Sequence, residues 1–193
     1  MINIPVEEDY FETYTGGKFN INNFTDDDIE IQDIAHSLSL QCRFNGHCKF
    51  FYSVAQHSTL IAKKLMDDGY DPETCLMGLL HDATEAYLCD IPRPIKPHLT
   101  GYRDLENKLQ YNILKSFMLP TELPDVIREY DIRILASERR QVMNKSNNIW
   151  AVDTIEPLDV EIKEMDWVEA SQEFLNMFIG LNFIRTPPMK WGD

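Results

Sequence analysis

The stretch Leu79-Leu80-His81-Asp82-Ala83-Thr84-Glu85-Ala86 sets an imidazole and two carboxylates among leucines and alanines. This constrains the fold more than any other segment. Burying such groups is costly unless they are paired, hydrogen-bonded or bound to a metal, so the chain must bring partners to them. Glu85 falls one helical turn beyond His81, which lets all three side chains face one cavity from a single helix. The run Asp90-Ile91-Pro92-Arg93-Pro94-Ile95-Lys96 follows, and its prolines end any helix there.

The rest of the chain supplies helices to surround that stretch. Helical spacing of apolar residues predicts helices over about 33–42, 53–68, 72–88, 102–118, 125–143 and 168–181. Asn45-Gly46 reads as the stop of the first helix, Gly69 as the stop of the second, and Asp71-Pro72 as the start of the third. Residues 1–32, with Thr15-Gly16-Gly17-Lys18 between aromatic-rich runs, read as an irregular or hairpin arm. Residues 144–166 read as a loop with one short strand, and Thr186–Asp193 as an extended tail. The expectation is an all-α chain: an arm over 1–32 and one helical core domain over 33–193, with no internal repeat.

With 193 residues and 44% hydrophobic content, one core is the natural expectation. A formal charge of −14 without a basic run opposes binding to a nucleic-acid polymer. A metal and a few Lys or Arg can still reverse the sign locally for a small anion. No apolar run approaches the roughly 20 residues that span a bilayer. The amino end is acidic and lacks a leader-like apolar core, and the four cysteines form no CxxC pair, so a cytoplasmic protein with reduced thiols is expected.

His57, His81, Asp82 and Asp131 combine two imidazoles with two carboxylates from three predicted helices. Without thiolate, that set suits Zn, Co, Mn or Fe at a reactive centre better than structural zinc, and Glu85 on the same face could orient or deprotonate water. Each residue alone has a plainer reading: a single helical His is more often a satisfied core group, and Asp131 a surface charge. The combination carries the argument. Glu138, seven residues past Asp131 on nearly the same face, reads first as a structural residue paired with a neighbour's Arg139 and second as a support of the site, and His36 as a packing residue.

The segments Ile34-Ala35-His36, Cys42-Arg43-Phe44-Asn45-Gly46-His47, Tyr52-Ser53-Val54-Ala55-Gln56-His57 and Leu80-His81-Asp82-Ala83-Thr84-Glu85 through Lys96 resemble the HD-domain metal-dependent phosphohydrolases. The branch they resemble contains bacterial 5′-deoxynucleotidases and phage dATP triphosphohydrolases, and the resemblance covers about residues 30–145. It implies a single HD-domain helical bundle with His57, His81, Asp82 and Asp131 as metal ligands and Glu85 as the catalytic carboxylate. It further implies that Arg43 and Lys96 bind phosphate, that Asp90 accepts from the sugar 3′-hydroxyl, and that Phe44 lies beside sugar and base, where relatives can carry tryptophan. Arg43 could instead pair with an acid, Asp90 could cap a turn and Phe44 could be core.

The resemblance implies hydrolysis of the α-phosphate ester of a deoxynucleotide, with a dNTP such as dATP expected first, giving deoxynucleoside and triphosphate. A 5′-deoxynucleotidase acting on dNMPs is the alternative. A ribonucleotide-directed HD enzyme is a further one, although the second His pair such enzymes often carry is missing. A catalytically idle nucleotide-binding HD module belongs to another class. The expected cofactor is a divalent metal, with room for a second Mg or Mn on the substrate phosphates. A homo-oligomer and, for a viral chain, the host cytoplasm complete the expectation.

Overall fold

Two small side chains start two of the central helices. Ser53 accepts the Gln56 N–H, and Asp71 accepts the Thr74 N–H at 3.0 Å and its hydroxyl at 2.7 Å. Each satisfies a donor that the first helical turn leaves unpaired. The structure is a computed structural model describing residues 10–185. Among these, seven helices follow a short hairpin: α1 (Ile31–Leu40), α2 (Val54–Asp67), α3 (Pro72–Leu79), α4 (Glu85–Leu88), α5 (Tyr102–Ser116), α6 (Asp125–Gln141) and α7 (Trp167–Arg185). The chain is all-α, as the apolar spacing predicts.

The arm forms a minimal hairpin, β1 (Phe11–Glu12) antiparallel to β2 (Lys18–Phe19), with Phe11 opposite Phe19. Gly16 takes the left-handed conformation its turn needs, with φ of 86°. Asp33 on α1 accepts the Thr15 N–H at 2.7 Å and its hydroxyl at 3.0 Å, and buried Phe19 stacks on Tyr87 of α4 at 4.2 Å. Those contacts fasten the arm to the helices. The part of the arm before residue 10 and the expected tail Thr186–Asp193 lie outside the described residues.

Helix α2 is the centre of the bundle and packs against α1, α3, α6 and α7. Its core side, with Val54, Ile61 and Leu65 buried, meets Leu76 and Leu79 of α3, Ile34 and Leu38 of α1 and Phe174 of α7. Gly78 lets α3 approach closely, since a Cβ there would lie 2.5 Å from Leu65 Cδ1 and 3.3 Å from Ile61 Cγ2. No helix among the described residues is long and apolar enough to cross a membrane.

Three local expectations are corrected. The helix expected over 72–88 is broken between α3 and α4: the Gly78 carbonyl accepts from the His81 ring, and the N–H groups of Ala83, Glu85, Ala86 and Tyr87 donate to carbonyls three residues back. Asn45-Gly46 does not end the first helix, which stops at Leu40; it belongs to a separate turn over Arg43–Gly46 in which Phe44 and Asn45 have φ of 55° and 52°. Residues 144–166 contain no strand, only a 3-10 turn at Ala151–Thr154. Their backbone bonds to α6 side chains instead: Gln141 donates to the Val160 carbonyl and accepts from the Ile162 N–H, and Ser137 donates to the Leu158 carbonyl.

Asp71→Ala removes the α3 cap and should lower stability by about 1 kcal/mol, read from the midpoint of a urea melt. The Thr74 donors hold the Asp71 carboxyl below its ordinary range. Its contribution is therefore present above the ordinary carboxylate pKa and disappears as pH falls through the lowered value.

Candidate metal centre

His57 lies one turn into α2 and is fully buried. Its Nδ1 is 2.7 Å from Glu138 Oε1, so Nδ1–H donates to that carboxylate. His81, just past α3, has Nδ1 2.8 Å from the Gly78 carbonyl, which can only accept. Both imidazoles thereby hold their protons on Nδ1 when neutral and turn Nε2 lone pairs toward each other, 3.3 Å apart. Asp82 Oδ2 is 3.4 Å from His57 Nε2 and 3.2 Å from His81 Nε2. Asp131 Oδ1 on α6 is 3.6 Å from His57 Nε2.

Donor atoms of His57, His81 and Asp131 lie within 4.8 Å of one another, and Asp82 Oδ2 adds a carboxylate beside both imidazole Nε2 atoms. Two facing lone pairs and two carboxylates repel unless a cation lies among them. A proton or a divalent metal meets that requirement, and the nitrogen and oxygen donors fit a borderline metal.

The electrostatics of the ion-free centre agree. Burial and Arg43 lower the His57 pKa, but Glu138 and Asp82 outweigh them and raise it to about 9. Burial opposes the charge on Asp82, yet His81 and His57 hold its carboxyl well below the usual range. Glu138 is also lowered against the cost of burial, chiefly by Arg43 and His57.

A cavity of about 630 Å³ opens onto the centre, lined by Asp82 and Asp131 together with Arg43, Phe44, Glu85, Asp90 and Lys96. Glu85, at the start of α4, is 4% exposed, and its Oε2 has no hydrogen-bond partner. Burial first, then the charges of Asp82 and Asp90, raise its pKa well above that of an ordinary glutamate. Lys96 Nζ is 2.7 Å from Glu106 and 3.7 Å from Glu85. Burial, with Asp82 adding to it against Arg43, raises Asp90. The Gln41 amide links the two carboxylate-bearing segments, donating to the Glu85 carbonyl at 2.9 Å and accepting from the Asp90 N–H at 3.0 Å. Phe44 forms part of the cavity wall.

Arg43 does pair with acids: Nη2 reaches Glu138 Oε2 at 3.1 Å and Nη1 reaches Asp82 Oδ2 at 3.6 Å. It also faces the cavity, and its buried Nε has no partner. Arg93 pairs with Asp131 at 3.2 Å from an exposed position. His36 packs between Tyr14, stacked at 3.7 Å, and the edge of Trp167.

Sequence reasoning ranked Glu138 as structural and overlooked Tyr52. Glu138 is fully buried and accepts from His57, Arg43 and the Tyr52 hydroxyl, the last at 2.9 Å. The seven-residue spacing from Asp131 was the available signal, because both carboxylates then reach His57 from one face of α6. Trp150 also lines the cavity and carries no motif that would announce it. Glu138→Gln should weaken divalent-metal binding by roughly 10- to 100-fold, with the helical circular dichroism retained. Calorimetric titration with Zn or Co checks this, and unchanged affinity would remove Glu138 from its orienting role.

Fold and site together define an all-α protein with a His/Asp cluster able to hold a divalent metal. No protein-family model matches the sequence. The chain is 38% identical over 143 residues to YfdR, an uncharacterized protein of Escherichia coli strain K12, covering 74% of this chain and 78% of that one. By that likeness it belongs to the family of YfdR. It is also 36% identical over 119 residues to the uncharacterized protein RCAP_rcc00048 of Rhodobacter capsulatus, covering 59% of this chain and 61% of that one.

Proposed function

We propose that the protein is an HD-type metal-dependent phosphohydrolase that cleaves the α-phosphate ester of deoxynucleotides, with a dNTP such as dATP as the first candidate. The observation that carries the reading is the buried, unpartnered Glu85 oxygen on a cavity shared with His57's ligand-like neighbours Asp82 and Asp131. A divalent ion held by His57, His81, Asp82 and Asp131 supplies, when bound, Lewis-acid stabilisation of a phosphoryl oxygen and a more acidic water.

The chain's own groups do the rest. Glu85 accepts a proton from the attacking water, and its buried Oε2, free of any hydrogen-bond partner, faces the cavity for that role. Arg43 and Lys96 offset charge on the phosphoryl oxygens. As the water oxygen bonds to phosphorus the P–O5′ bond breaks, and the nucleoside leaves as its 5′-hydroxyl, the proton returned to O5′ from protonated Glu85 through solvent. Asp90 accepts from the sugar 3′-hydroxyl, and Phe44 lies beside sugar and base. An idle binding module has no use for a buried carboxylate beside a metal cluster, which favours the enzyme reading. A cytoplasmic site of action belongs to the same proposal. Exposed Val168, Ile179 and Phe183 on α7 support a homo-oligomer.

A second reading, a 5′-deoxynucleotidase acting on dNMPs, is favoured by one observation. The cavity lining carries three basic side chains (Arg43, Arg93, Lys96) against four acidic ones (Asp82, Glu85, Asp90, Asp131), a net of −1 with His neutral. One divalent ion brings that to +1, which matches a monophosphate of about −2 better than the more negative triphosphate.

Incubating the Mn- or Co-loaded protein with dNTPs, dNMPs and NTPs and identifying the products tests both readings. Triphosphate plus deoxynucleoside from dATP supports the first, inorganic phosphate from dNMPs supports the second, and no product from any substrate contradicts the enzyme reading. Glu85→Ala should reduce turnover by at least roughly 100-fold while metal content stays near one ion per chain. An unchanged rate would remove Glu85 from its role.

A further inference from the structure

Beyond the metal cluster, the cavity changes character. Asp131 and Leu135, one turn apart on α6, both line it, and just past the end of that helix Met143, Trp150, Ala151 and Val152 continue the wall. On α6 the lining passes within one turn from the Asp131 carboxylate to Leu135, and the residues that continue it beyond the helix are apolar.

Trp150 sits in a connection without regular structure, yet it is held firmly. Arg139 on α6 places its guanidinium 4.8 Å from the Trp150 ring centroid, within cation–π range. The same guanidinium donates to Ser146 Oγ and the Asn148 carbonyl, both at 3.1 Å, and lies 3.7 Å from Asp153 Oδ1. The Trp150 N–H of the backbone donates to Asp153 Oδ2 at 2.8 Å. One arginine therefore pins the loop and the indole that it carries.

Phe44, held at a positive φ, completes a corner with Trp150: the rings are 6.1 Å apart and tilted by 54°. That spacing and tilt leave no slot between them, but they offer two aromatic surfaces to one planar group. Such half-buried aromatics beside a charged centre are the usual means of holding a nucleobase without reading its hydrogen-bonding edge.

We propose that Trp150, positioned by Arg139, is the stacking surface for the nucleobase, with Phe44 against its edge, and that this corner favours purine over pyrimidine deoxynucleotides. The inference rests on the nucleotide reading given above but not on hydrolysis. A bicyclic base covers more of the two surfaces than a monocyclic one, so the preference follows from contact area. Arg139 is a positioning residue in this scheme, since Trp150 itself meets the base.

The test is binding to the metal-loaded protein of non-hydrolysable phosphonate analogues of dAMP and dTMP, with the phosphonate of abasic 2-deoxyribose as control. Wild-type protein should bind the purine analogue more tightly than the pyrimidine, with tryptophan fluorescence quenched. Trp150→Ala should weaken the purine analogue by roughly 10-fold or more while leaving the abasic control unchanged. Trp150→Phe should keep most of the affinity and lose the quenching. Equal loss on the purine and abasic probes, or no loss on either, overturns the proposal. Base-dependent binding without any turnover sinks hydrolysis and upholds stacking; turnover with Trp150→Ala unimpaired for every base does the reverse. If wild-type protein binds none of the probes, the stacking proposal falls, and the products formed from dNTPs and dNMPs decide hydrolysis separately.

Discussion

The hydrogen bond from His57 Nδ1 to Glu138 holds the site together. It joins α2, the central helix, to α6, and it fixes which nitrogen of a fully buried imidazole faces the other donors. Glu138 is surrounded in turn: Arg43 and Tyr52 satisfy the same carboxylate from the segment before α2. An unpaired buried carboxylate would be costly, and these partners leave a charge-balanced pair below the metal cluster. Arg43 thereby belongs both to the support of His57 and to the cavity wall.

The second determinant is the interruption of the helix at Leu80–Thr84. A continuous helix would have used the Gly78 carbonyl within its own ladder, whereas here that carbonyl orients the His81 ring. The same glycine allows α3 to close onto α2, so backbone proximity and imidazole orientation share one residue. The break also resets the direction of the chain, and Glu85 begins a new helical turn facing the cavity with Asp90 and the proline segment beyond it.

The helices were legible because apolar spacing decides which face is buried, and that signal is strong for α2, α5 and α6. The meeting of His57, His81 and Asp131 was suggested by their residue types and by the resemblance to HD-domain proteins rather than by spacing alone. What stayed hidden depends on contacts distant in sequence. Glu138 is an ordinary helical glutamate until α6 is docked 81 residues away against His57. The break after α3 arises from a side chain competing for a backbone carbonyl, which helix propensity does not register. The strand expected within 144–166 does not form: Leu158–Val160 turns back on itself, and α6 side chains take the hydrogen bonds of Val160 and Ile162 that a neighbouring strand would have taken.

The central claim is that His57, His81, Asp82 and Asp131 hold one divalent ion at the mouth of the cavity that Glu85 lines. Anomalous diffraction from crystals grown with Mn or Co tests it most directly. The account predicts a single strong peak per chain, roughly 2.0–2.2 Å from Nε2 of both histidines and from one oxygen of each aspartate. A peak elsewhere, or none at this cluster with metal in excess, would contradict it.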